Sequence, residues 1–397
     1  MSVTPESSPR RWIRSVAGAV VALMASSIAA VALGVGVAGA DTAPVDPAEP
    51  ETVSADSLPT VQIDGVVWDQ LVVGNTVYAT GSFTSARPAG SAAGTNETPR
   101  SNILAYNITT GNLITSWAPT LNAQGRTLEA SADGSTIYVA GDFTQVNGTT
   151  RNRVAALDAT TGALRPFNPN VNAHVNSLAL SGDTLYVGGA FTVVGNQGRS
   201  RLAAVDAASG ALRAWAPVAN LEVRAVVVPA GKGKVVVGGH FDDMNGVPTR
   251  GLAALDPTTG ALVAFPANQI IQNWGADAAI WSLSTNGDQV FGTGFTYLVN
   301  NDPTTGGNLE STFAADATTG ELIWVNGCRG DHYDTAPIGN VLYNVSHAHD
   351  CAPVGGHPQT SPWTFQRGQA ETIYPDPTGA VNVGGKFNGR PRAQQLH

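Results

Sequence analysis

Four of the seven histidines of this 397-residue chain, His332, His347, His349 and His357, fall within one short stretch. That stretch runs from CRGDHYD through VSHAHDC to APVGGHP. His347 and His349 are two residues apart, so on a strand they point to the same side. Two imidazoles with the carboxylate of Asp331 form a common ligand set for zinc or another divalent ion. A histidine poised by an aspartate also suits proton transfer near neutral pH. Asp331, His332, His347 and His349 are therefore candidate ligand-binding residues, with Asp331, His347 and His349 as the metal set. The competing reading is a hydrogen-bonded loop that only shapes one face. Nothing marks a nucleophile, because Ser346 precedes His347 without a strand–turn–helix elbow. Cys328 and Cys351 are the only cysteines and flank this stretch. Outside the cytoplasm they are expected to form a disulfide.

The elements that position these residues are legible from repetition. Gly-x-Phe recurs at Gly81–Phe83, Gly141–Phe143, Gly189–Phe191, Gly239–Phe241 and Gly385–Phe387. A second motif, LDATTGAL and its variants, turns at Gly111, Gly162, Gly210, Gly260 and Gly320, at intervals of 51, 48, 50 and 60 residues. A Trp-x-Pro or Phe-x-Pro often follows. Units of this length cannot each bury a core alone, so they stack or close on one another. Each unit carries four strand-like runs divided by turn residues, and none shows a sustained helical period. The pattern predicts an all-β fold, a seven-bladed β-propeller with four-stranded antiparallel blades. Blade 6, from Asp331 to about Arg367, is divergent. Blade 7 begins near Ala370 with only its first strands. Pro59–Ile63 is expected to pair with that last blade and hide its open edge.

The repeated aromatics read as packing between blades. The aspartates Asp158, Asp206, Asp256 and Asp316 read as turn formers. The YVGGAF, AALDATTG and Trp-x-Pro motifs resemble the delta-sixty-type repeats of secreted bacterial β-propellers, common in actinobacteria. The chain is more distantly similar to kelch and galactose-oxidase-type propellers. The copper ligands of the latter have no counterpart here, so that activity is not carried over. The resemblance covers residues 65–397 and implies a fold and an exported location. Its members carry a similar Cys-x-Gly-Asp and Ser-His-Ala-His-x-Cys pattern.

In a propeller, blade-linking loops and the loops after each second strand open on one face. Asp331 and His332 are thus expected to approach His347 and His349 there, where His347 takes the place of the x in Gly-x-Phe. The link PANQIIQNWGADAAIW contributes Trp274, which has no counterpart in other blades. It either stacks on a sugar, with Asn268, Gln272 and Asn273 bonding the hydroxyls, or plugs the channel mouth.

Arg10, Arg11 and Arg14, an apolar run and Ala38-Gly39-Ala40 predict a signal peptide over 1–40, cleaved before Asp41, which leaves no transmembrane helix. Residues 41–58 are acidic and read as a flexible tether, with the propeller over 59–397. The net charge of −9 excludes a nucleic-acid partner that needs a basic surface. Two functions compete. One is an exported binding module for an extracellular glycan or envelope protein on the blade 6 face. The other is a hydrolase or lyase, metal-dependent or acid/base, that uses the histidine cluster, with a divalent metal as its cofactor.

Overall fold

The computed structural model describes residues 60–296, 307–325, 328–329, 331–338, 341–346, 350–351 and 381–383. They belong to one compact unit, 57–397. The expected signal peptide and tether lie outside the described residues, as do His347, His349 and His357.

The protein is all-β and built of successive propeller blades. The inner strands are Val66–Val73, Gly125–Ala130, Val175–Ser181, Val223–Val227, Ala278–Thr285 and His332–Ile338, one for each of blades 1 to 6. Each pairs antiparallel with the second strand of its blade: Thr76–Ser82, Thr136–Gly141, Thr184–Gly189, Val235–Gly239, Gln289–Thr296 and Val341–Ser346. Each inner strand also packs against the inner strand of the next blade. Blades 4 and 5 have four named strands. In blades 1 to 3 the fourth shrinks to a single bridge, Tyr106↔Leu113, Leu157↔Leu164 and Val205↔Leu212.

Blade 6 departs from the expected pattern. Its third strand is Val381–Val383, which runs parallel to Val341–Tyr343. Those residues were expected to lie within a separate seventh blade. Blade 6 carries no Asp-x-x-Thr-Gly turn to fold its own third strand back, and the free edge is taken by this later segment.

The blades are joined by a repeated staple. Tyr78, Tyr138 and Tyr186 meet Trp117, Phe167 and Trp215 edge-on, with ring centroids 5.0, 5.4 and 5.0 Å apart. The Tyr78 hydroxyl donates to the Ala159 carbonyl at 2.7 Å and the Trp117 indole to the Asp158 carbonyl at 3.1 Å. Tyr186 and Trp215 reach Pro257 and Asp256 in the same way. Each blade therefore holds the turn of the next. Asp158 shapes that turn, as its Oδ1 accepts from the Thr160 and Thr161 amides and the Thr161 hydroxyl. Asp206, Asp256 and Asp316 do likewise, which matches the turn-forming role read from sequence. Phe143, Phe191 and Phe241 are fully buried between blades, each contributing about 2–3 kcal/mol of burial.

The N-terminal segment makes a different pairing from the one expected. Gln62–Ile63 pairs with Ala86–Arg87 of blade 1, not with the C-terminal strand. The Val61 amide donates to the Gly111 carbonyl, as that of Ala267 donates to Gly320 at the far end of blade 4. Ile63 faces Ala86 as Leu121 bridges Val146 in blade 2. The segment thus sits where the tail of a preceding blade crosses onto the next one, so its partner is blade 1.

Candidate functional site

Every inner strand is bulged at the same place. The register skips one residue between Val67 and Asp69, Gly125 and Thr127, Val175 and Ser177, Val223 and Ala225, Ile280 and Ser282, and His332 and Asp334. The skipped residues are Trp68, Arg126, Asn176, Arg224, Trp281 and Tyr333. A bulge frees one residue from the ladder and re-aims its side chain. The repeated glycine permits it: a Cβ on Gly81, Gly141, Gly189 or Gly239 would overlap the carbonyl of Val66, Gln124, His174 or Glu222. In blades 1 to 4 the glycine of Gly-x-Phe thus gives the bulged strand the close approach it needs, whereas in blade 6 Ser346 stands opposite the bulge.

The six residues lie at one end of the inner strands, a bulge ring in which those from Trp68 to Trp281 are linked in series. The Trp68 indole donates to Gln124 Oε1 at 2.8 Å, and Gln124 Nε2 to Asp142 Oδ2 at 2.6 Å. Arg126 grips Asp142 through Nε and Nη2 at 3.0 and 3.1 Å, and its Nη1 reaches Asn176 Oδ1 at 3.4 Å. Asn176 Nδ2 donates to Glu222 Oε1 at 2.7 Å, where His174 Nε2 also arrives at 3.2 Å. Arg224 Nε lies 3.4 Å from the same oxygen and donates to His240 Nε2 at 3.2 Å. The Arg224 guanidinium stacks over Trp281 at 4.2 Å, and Trp281 meets Phe295 edge-on at 5.3 Å. Tyr333 donates its hydroxyl to Asp331 Oδ2 at 3.4 Å.

The electrostatics follow from burial and pairing. Burial alone would raise Glu222, but bonds and charges from His174, Arg224 and Asn176 outweigh it and hold the carboxyl at about 2. Asp142 is likewise lowered, its burial outweighed by Arg126 and Gln124. Burial lowers His240, partly offset by its bond to the Gly275 carbonyl at 2.7 Å. That bond requires Nδ1–H, which leaves Nε2 as the acceptor for Arg224. Farther along the inner strands Asp69 accepts from the Leu128 amide at 2.7 Å. Burial pushes it up to about 7, and Asp334 of blade 6 adds to the rise. Asp334 itself keeps solvent access yet is surrounded by protein, which raises it.

Of the sequence-predicted residues, Asp331 stands beside the ring through Tyr333. His332 is fully buried in its strand, opposite Ser346, and does not open on the face. Trp274 is half-buried with Arg250 stacked on it at 4.7 Å, and its neighbour Gly275 anchors His240. The amides expected to serve a sugar are spent inside the fold. Asn273 is fully buried, with Nδ2 donating to Ala279, Phe295 and Leu309 carbonyls and Oδ1 accepting from Asn308 and Leu309 amides. Gln272 bonds Arg250 and Gln269, and Asn268 bonds Leu252. Cys328 and Cys351 are directly opposed in a two-residue antiparallel pair. Among the described residues no group of three or more His, Cys, Asp or Glu side chains is placed to hold a metal, and no helix is long and apolar enough to cross a membrane.

Sequence reading missed the ring because strict alternation leaves no room for a bulge. The signal was present: at one register position the repeats change from Trp to Arg to Asn to Arg to Trp to Tyr, while in blades 1 to 5 the residue before it stays Val, Gly or Ile.

A family described as outer membrane protein assembly factor BamB matches residues 64–264. No curated protein sequence matches the chain. Among solved structures, the computationally designed Ika8 protein is 14% identical with a TM-score of 0.43, covering 81% of this chain and 83% of that one. U3-55K is 10% identical at 0.48, covering 73% and 79%, and the RRP9 WD40 repeats 11% at 0.48, covering 73% and 78%. Likenesses at that level decide nothing further about the site.

Proposed function

This chain belongs to the outer membrane protein assembly factor BamB family, and from that premise we propose that it is a protein-interaction module of the cell envelope. The partner docks on the face where the bulge ring opens. The observation that carries this reading is the ring itself: six inner strands each spend a bulge to present Trp, Arg, Asn or Tyr at one end of the inner strands. Trp, Tyr and Arg are the residues on which binding energy concentrates in protein interfaces. Trp68 remains 42% exposed. Exposed Val218, Leu221 and Val247 lie about the loop ribbon of blade 4 on the same face, where Val218 and Asn245 exchange hydrogen bonds. A glycan at Trp274 is less well supported, because Asn268, Gln272 and Asn273 are committed to the fold.

The reading extends to blade 6 by repeat position. Asp142 and His240 occupy the x of Gly-x-Phe and anchor Arg126 and Arg224. His347 occupies the same position in sequence. Seven blades belong to the same proposal.

The test is the mass of the native complex in gently solubilised envelope. The wild-type chain should migrate above its own mass. Trp68→Ala with Trp281→Ala should return it to monomer while its melting temperature holds. Val72→Ala with Ile338→Ala, at the opposite end of the inner strands, should leave the complex intact. A complex lost with the second pair and kept with the first would overturn the reading.

A further inference from the structure

We propose that Arg224 is a carboxylate receptor: its two Nη groups take a carboxylate of the partner polypeptide in the two-pronged mode. The inference rests on the docking reading above and names the chemistry of the contact.

The guanidinium is fixed on one edge and one face. Nε donates to His240 Nε2 at 3.2 Å, and the plane lies over Trp281 at 4.2 Å. His240 is itself held twice, as its Nδ1 donates to the Gly275 carbonyl at 2.7 Å and its own carbonyl accepts the Gly275 amide at 2.8 Å. Neither Nη group of Arg224 has an acceptor among the described residues, and the side chain is 21% exposed. A planar fork held in this way is suited to bidentate recognition of a carboxylate.

Blade 2 supplies the contrast. Arg126 stands at the same bulge position, but its Nε and Nη2 are taken by Asp142 and its Nη1 by Asn176. Where blade 2 places Asp142, blade 4 places His240. The substitution keeps an acceptor for Nε and removes the anion that would neutralise the fork. The nearest carboxylate, Glu222, turns the same oxygen to His174 and Asn176, and meets Arg224 only at Nε. The terminal edge of Arg224 is left for a charge from outside.

The experiment follows the indole N–H resonance of Trp281, assigned with Trp281→Phe, in the full chain. Three probes are titrated. N-acetylalanine carries a C-terminal carboxylate. N-acetylglutamic acid α-amide carries a side-chain carboxylate. N-acetylglutamine amide is neutral. A saturable shift is expected with at least one acid, in a range of about tens of millimolar for a pair of charge-assisted bonds, and none with the neutral probe. Which acid acts tells whether the partner offers a chain end or an acidic side chain. Arg224→Gln should abolish the shift, and Arg224→Lys should weaken it. Equal shifts with the neutral probe, no shift with either acid, or an undiminished shift in Arg224→Gln would overturn the assignment. If the ring variants still dissolve the native complex while the acids fail, the docking reading stands and the carboxylate assignment alone falls.

Discussion

The guanidinium of Arg224 lies 4.2 Å over the indole of Trp281, although the two come from neighbouring blades. Both are bulge residues of the same register position. A flat inner strand would turn each into its own blade stack, and the contact across the seam would be lost. The bulge is thus what converts five repeated packing units and one divergent one into a shared surface.

Gly141→Ala tests that dependence. The new Cβ would collide with the Gln124 carbonyl, so the bulge at Arg126 must flatten or the strands must part. The expected cost is about 1–3 kcal/mol of stability, with loss of the native complex. Gly198→Ala meets nothing within 4 Å and should be near neutral. Denaturant melts of both variants decide; equal stability would contradict the role given to the glycine.

How much of this was legible in sequence depends on the residue. Tyr78, Trp117 and the Asp158 turn recur, and their staple follows from repetition. Trp68, Arg126 and Arg224 do not recur as types, so a search for repeated residues passes over them. They became visible only once the register across Gly81, Gly141 and Gly239 was known. His332 misled because its cluster is defined along the chain, whereas its side chain is turned into the blade. Asn273 misled because amides beside a tryptophan resemble a sugar site until their hydrogen bonds are counted.

Glu222 predicts an acid limit to the ring. Its carboxyl is lowered from the ordinary 4.5 to about 2 in the folded chain. A depressed carboxyl contributes stability that is complete above the unfolded value and is lost as pH falls through the folded one. Melting temperature should therefore drop between about pH 4.5 and 2, and Glu222→Gln should flatten that drop. A variant that shows the wild-type acid slope would contradict the hub role of Glu222.

The opposition of Cys328 and Cys351 in register supports the disulfide expected from sequence. Directly paired antiparallel residues bring their Cα atoms within the distance a disulfide needs. The bond should add about 3 kcal/mol by the chain-entropy relation. Peptide mapping with and without reductant should show one linked pair in the protein purified from its native host; two free thiols would refute it.

The pairing of Gln62–Ile63 with blade 1 predicts a difference between two deletions. Removing 41–56 should leave melting unchanged. Removing 41–64 should lower it sharply, because the Gln62–Ile63 pairing with blade 1 and the buried Val61 would be lost. Equal melting of the two would count against that pairing's part in stability.

The most direct measurement of the docking face is site-specific photo-crosslinking in cells. A photoreactive phenylalanine replaces Trp68, Asn176 or Tyr333 on the ring, or Val72 or Ile338 at the far end. The ring positions should yield one discrete protein adduct of a common mass, and that adduct should vanish when Arg126→Ala and Trp281→Ala are added. Adducts confined to Val72 and Ile338, or unchanged by the ring substitutions, would contradict the assignment of function to the bulge ring.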